Sequence, residues 1–155
     1  MPFGGGPFVP RACLEIPIAK LQGENIERNT EFAAARNQLL QKVEAHPESP
    51  YFLSVLAQID AYLGRKQEAI QEAKRTTEML PVSKDAWNGP QLLNTLAQVY
   101  ALTNEPDLAF RTLEIAIKLP ASEISYGELK LDPNWDSIRL DPRFDKLLAQ
   151  LAPNE

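Results

Sequence analysis

Asp132, Asp136, Asp141 and Asp145 form the one acidic cluster in the chain dense enough to suggest acid–base or metal chemistry. Two of the four precede proline, and Arg139 and Arg143 are interleaved as counterions. An aspartate before proline starts a helix well: its carboxylate accepts a free N–H, and the proline ring sits where no N–H is needed. Capping and surface pairing therefore compete with a hydrolase reading, which needs two carboxylates facing one cleft. The single cysteine, Cys13, cannot close an internal disulfide, and the single histidine, His46, leaves no zinc cluster and removes most Ser/His/Asp and Cys/His arrangements. Cys13 lies near a loose terminus, where exposure is expected but no acid–base partner is evident. His46 precedes Pro47 at a helix end, where a carbonyl contact or the helix dipole accounts for it. No catalytic residue, metal ligand or cofactor is assigned, and the chain reads as a non-enzyme.

The elements that must hold these residues fit one domain. The chain has 155 residues, 44% of them hydrophobic, enough to bury a sizeable core. Sixteen basic against 21 acidic residues leave a net charge of −5, which offers no basic field to nucleic acid or anionic lipid. The start lacks the charged and apolar regions of a secretory signal, and no apolar run approaches the roughly 20 residues of a membrane span. A soluble, cytoplasmic protein is expected.

Residues 1–10, rich in Gly and Pro, read as a flexible leader. Between 11 and 22, Leu14, Ile16 and Ile18 alternate as in a strand, while Pro17 interrupts and Leu21 before Gly23 resembles a helix stop; a poor helix is the reading. From 25 to 45, Phe32, Ala35, Leu39, Leu40 and Val43 share one helical face, ended by His46-Pro47. Phe52, Leu56, Ile59 and Leu63 step by four, three and four residues over 51–63, and Gly64 supplies the stop. Further helices are expected over 66–79, 91–103 and 106–118, with no strand between 24 and 120.

Sliding the chain on itself exposes a repeat. A shift of 34 sets Ala35 on Ala69 and Pro47 on Pro81. A shift of 40 sets Phe52 on Leu92, Leu56 on Leu96, Ala57 on Ala97, Gln58 on Gln98 and Ala69 on Ala109. A helical hairpin thus recurs, once with six extra residues in Val82 to Pro90, where Asn88-Gly89-Pro90 reads as a turn.

The pattern of Leu56-Ala57, Gly64, Ala69 and Pro81, repeated as Leu96-Ala97, Tyr100, Ala109 and Ala116, resembles the tetratricopeptide repeat. Small residues in that family let two antiparallel helices approach closely. Asp60 departs from the pattern at a usual aromatic position, and Asn104 replaces the turn glycine. The resemblance implies an all-α, right-handed superhelix of antiparallel hairpins: a degenerate first hairpin at 11–47, a repeat at 48–81, a repeat with inserted turn at 82–120, and a C-terminal cap at 121–155. Leu131 to Asp136 and Arg139 to Leu148 resemble the end of repeat regions attached to bacterial serine/threonine kinases, nucleotide cyclases and winged-helix regulators. Their catalytic and DNA-binding motifs are absent from the sequence. In the cap, Asp132 and Asp141 are expected to start short helices, and Trp135 and Phe144 to plug the end of the stack.

In such repeats the first helix of each hairpin lines the concave wall. The resemblance places Ser54, Gln58, Asn94 and Gln98 there, with Tyr51, Tyr62 and Gln91 nearby. Amide side chains suit an extended peptide because each both donates and accepts; solvated polar positions are the plain alternative. A clamp for a C-terminal carboxylate, which uses Lys or Arg at such positions, is disfavoured. Trp87, in the insertion, either anchors a partner or folds back on the hairpins. The expected role is binding of an unidentified protein or peptide, with no nucleic acid, membrane or cofactor. The alternative is a homodimer formed through the truncated first hairpin, around Leu14 to Phe32.

Overall fold

The computed structural model describes residues 10–26 and 29–152. Those residues are all-helical, with no strand. The helices are α1 (Arg11–Leu21), α2 (Thr30–Ala45), α3 (Pro50–Tyr62), α4 (Lys66–Met79), α5 (Gly89–Leu102), α6 (Pro106–Ala116), α7 (Tyr126–Leu131) and α8 (Pro142–Leu151), with a 3-10 turn at Pro133–Trp135. The expected leader lies outside the described residues except for Pro10, which is buried at the start of α1. No described helix is long and apolar enough to cross a membrane.

Residues 11–21 form a helix, not a strand, because their buried side chains Cys13, Ile16 and Ala19 fall at three-residue steps. Pro17 sits inside it and supplies no N–H for the Cys13 carbonyl. The burial of Cys13 corrects the expectation of an exposed thiol: the residue occupies the inward face of α1. α2 begins at Thr30 rather than near 25, since the Asn29 carboxamide oxygen accepts from the Glu31 N–H at 2.9 Å and the Phe32 N–H at 3.4 Å.

Three helices end alike. In α1, α3 and α5 the residue after the C-cap, Gly23, Gly64 or Asn104, adopts a left-handed φ of 74°, 76° or 59°. At each end two backbone N–H groups turn back onto the last helical carbonyls: Glu24 on Ala19 and Gly23 on Lys20, Arg65 on Asp60 and Gly64 on Ala61, Glu105 on Tyr100 and Asn104 on Ala101. This closure reverses the chain and starts the second helix of each couple. Asn104 therefore fills the place of the turn glycine with the same backbone geometry.

α1 packs on α2, α3 on α4 and α5 on α6; each couple also meets the next, α1 and α2 touching α3, and α3 and α4 touching α5. Ala57, Ala69, Ala73, Ala97 and Ala109 are fully buried where these helices cross, so backbones approach without a bulky side chain between them. One core cluster joins Cys13, Ile16, Phe32, Leu39, Phe52, Leu56 and Ile59. The other runs from Ala57 and Ala61 through Tyr100, Phe110 and Leu113 to Trp135 and Phe144. α3 serves both, which explains its buried, largely apolar surface.

The expected turn ends at Asn88, which is the N-cap of α5. Gly89 and Pro90 are the buried first residues of α5, and a Cβ on Gly89 would lie 2.8 Å from the Val82 Cα. In the C-terminal segment Asp132 caps the 3-10 turn through the Asn134 N–H, and Asp141 caps α8 through the Arg143 N–H, each at 2.9 Å. Trp135 and Phe144 are buried against the last couple, the 3-10 turn meeting α5 and α8 meeting α6. α7, which no sequence pattern announced, is capped by Ser125 through the Glu128 N–H.

Candidate functional site

Tyr51, Ser54, Gln58 and Tyr62 of α3 and Gln91, Asn94 and Gln98 of α5 occur at steps of three and four residues, which keeps each set on one helical face. All seven line a single groove of about 640 Å³. Its floor is an amide bridge: the Gln58 Nε2 donates to the Gln98 Oε1 at 2.8 Å, joining α3 to α5. The Ser54 hydroxyl donates to the Tyr51 carbonyl at 2.7 Å and is nearly buried. The Tyr62 hydroxyl meets the Asn134 Oδ1. The Asn94 Oδ1 is shielded from solvent with no hydrogen-bond partner among the described residues.

Sequence reasoning did not find the other walls. α1 contributes Cys13, Leu14 and Pro17, and the C-terminal segment contributes Glu123 and Asn134. Leu14 is 65% exposed, Leu21 62% and Ile18 56%, an apolar stripe whose first member lines the groove. A smaller cavity of about 420 Å³ continues past Tyr62, lined by Pro17, Lys20, Leu21, Asp132 and Asp136 among others. These residues converge from opposite ends of the chain, so no local spacing signals them. The groove is therefore two-sided: apolar on α1, amide-rich on α3 and α5.

Its ionisable groups are quiet. Burial pushes the Cys13 thiol up to about 11, so it is not a thiolate nucleophile at neutral pH. Burial, and then the nearby Asp132, push the Tyr62 hydroxyl up to about 12. Lys20, 5.4 Å from the centre of the Tyr62 ring, has its proton affinity lowered by burial.

The acidic cluster is dispersed by its structural duties. Asp132 and Asp141 cap, Asp136 pairs with Arg139 at 2.9 Å, and Asp145 is exposed in the first turn of α8. Arg143 bridges Asp141 and Asp107, each at 2.7 Å. No group of three or more potential metal ligands occurs among the described residues. His46 is the C-cap of α2, and its ring stacks on Phe52 with centroids 5.5 Å apart. Trp87 does not fold back: it is 72% exposed. Its backbone is nevertheless pinned, because Asp85 accepts from the N–H groups of Trp87 and Asn88 at 2.9 and 2.8 Å.

A buried ion pair also escaped the sequence. Asp60, without exposed surface, takes the Arg36 guanidinium through both carboxylate oxygens, the Nη2 contact being 2.6 Å. Glu72 stands beside this pair with its Oε2 shielded and unpartnered, and burial followed by the Asp60 charge pushes it up to about 8. The pair lies in the packing of α2, α3 and α4, outside the groove.

Comparison with family models, curated proteins and solved structures returns no match.

Proposed function

We propose that the chain is a non-enzymatic helical-repeat module, a tetratricopeptide-like right-handed superhelix whose inner wall binds an extended peptide or protein segment. The observation that carries this reading is the matched set of side chains, Tyr51, Ser54, Gln58 and Tyr62 against Gln91, Asn94 and Gln98, facing one groove from two successive first helices. An extended backbone needs donors and acceptors at intervals, which amides supply, and pockets for side chains, which the α1 wall supplies. Asn94 offers an amide with an unused acceptor. Trp87 stands next to Asn88, a groove residue, as an exposed anchor at low entropic cost. The setting proposed is a bacterial signalling or regulatory assembly in the cytoplasm, with no cofactor.

Retention of the labelled protein on a random decapeptide array tests this. Gln58→Ala/Gln98→Ala is expected to abolish most retention without unfolding the chain; unchanged retention contradicts the reading. A second reading, self-association through the first couple, is favoured by the exposed stripe Leu14, Ile18 and Leu21 at steps of four and three. Sedimentation at two concentrations tests it, since a monomer at both removes it.

A further inference from the structure

The groove's charge is one-sided. Among the described residues that line it, Glu123 is the only one of the Asp, Glu, Lys and Arg types. Of the other carboxylates, those of Glu15, Asp60, Glu68, Glu105, Asp107, Asp136 and Asp141 each meet a guanidinium or ammonium group, while those of Glu44, Glu78 and Glu114 meet none among the described residues. Glu123 has no such partner among the described residues; it accepts only from the Gln91 Nε2, at 3.3 Å. A second carboxyl stands behind the amide floor: Glu128 accepts from the Trp135 indole N–H at 2.9 Å through Oε1 and lies beside the Gln98 amide. Lys20, 5.4 Å from the centre of the Tyr62 ring, lines the cavity beyond Tyr62 together with Asp132 and Asp136.

Resting on the groove reading above, we infer that the occupant is a basic extended peptide, with one Arg or Lys side chain paired to Glu123 at the α5 end and an apolar neighbour against Leu14 and Pro17. Glu123 is exposed at the mouth of a groove walled by Leu14, Val55, Ile59 and Leu92, so its attraction for a cation is that of a solvated carboxylate set beside apolar surface. An acidic segment meets no compensating charge there and is rejected. The net charge of −5 steers basic segments toward the chain from a distance.

The test is an immobilised array of Ala/Ser decapeptides, each with one Leu and, at a second position, Arg, its neutral isostere citrulline, or Glu. Arg peptides are expected to retain the labelled protein about threefold better than citrulline peptides, with Glu peptides weakest. Glu123→Gln is expected to bring Arg retention down to the citrulline level. Equal retention of Arg and citrulline, or an Arg preference that survives Glu123→Gln, overturns the cation assignment. If Gln58→Ala/Gln98→Ala still abolishes that retention, the groove reading stands alone. Retention indifferent to the double substitution, or absent from every peptide, overturns the groove and this inference together.

Discussion

A carboxylate wedged between packed helices is destabilising unless a fixed cation meets it, and at Asp60 the two-pronged Arg36 does so. Glu72 inherits the consequence. Its site is shielded, and Asp60 stands close to it, so the folded chain holds this proton up to about 8, against an ordinary value of 4.5. Between those values the unfolded chain has released the proton and the folded chain has not. The stabilising contribution is therefore complete below about 4.5 and is lost as pH rises through about 8. Urea midpoints measured from about pH 5 to pH 9 are expected to fall for the native chain and to flatten for Glu72→Gln. Equal slopes in the two proteins contradict this account of Glu72. Nothing in the local sequence announces the site: Arg36 and Asp60 are 24 residues apart, and Asp60 reads only as a misfit on an apolar face.

At the scale of elements, the shared helix ending is the unit from which the couples are built. Asn104 shows its demand most plainly, since a side chain with a Cβ is held at a φ of 59°. Asn104→Ala is expected to cost about 1–2 kcal/mol, and Asn104→Gly to cost nothing or stabilise. Thermal or urea denaturation of the two variants checks the order, and an alanine variant as stable as the native chain contradicts it. α3 to α6 were legible because apolar steps, prolines and small residues agree with one another over 40 residues. α1 was legible only as a poor helix, because Pro17 and the alternating Leu14, Ile16 and Ile18 speak for different conformations; burial of the Cys13, Ile16 and Ala19 face accounts for it. α7 spans only six residues, too few for a periodicity to emerge. The Asp-Pro starts were legible since their capping needs only two adjacent residues.

Over the whole molecule, the groove depends on bringing distant segments to one surface. The amide floor could be read from the sequence because α3 and α5 repeat each other, Gln58 matching Gln98. The α1 wall and the Glu123 rim could not, since their place depends on how the first couple and the C-terminal segment close on the middle of the chain. The same closure leaves Leu14 and Leu21 exposed rather than in the core, so the apolar surface of the proposed dimer also borders the proposed peptide groove. The central claim is that this inner wall, not the outer helices, meets the partner. The most direct measurement is an NMR titration with the array's best-retained peptide, following the side-chain NH₂ resonances of Gln58, Asn94 and Gln98 beside the backbone signals of α4 and α6. The three amide pairs are expected to shift together and saturate at one concentration while α4 and α6 stay still. Still amides, with shifts confined to α4 and α6, contradict it.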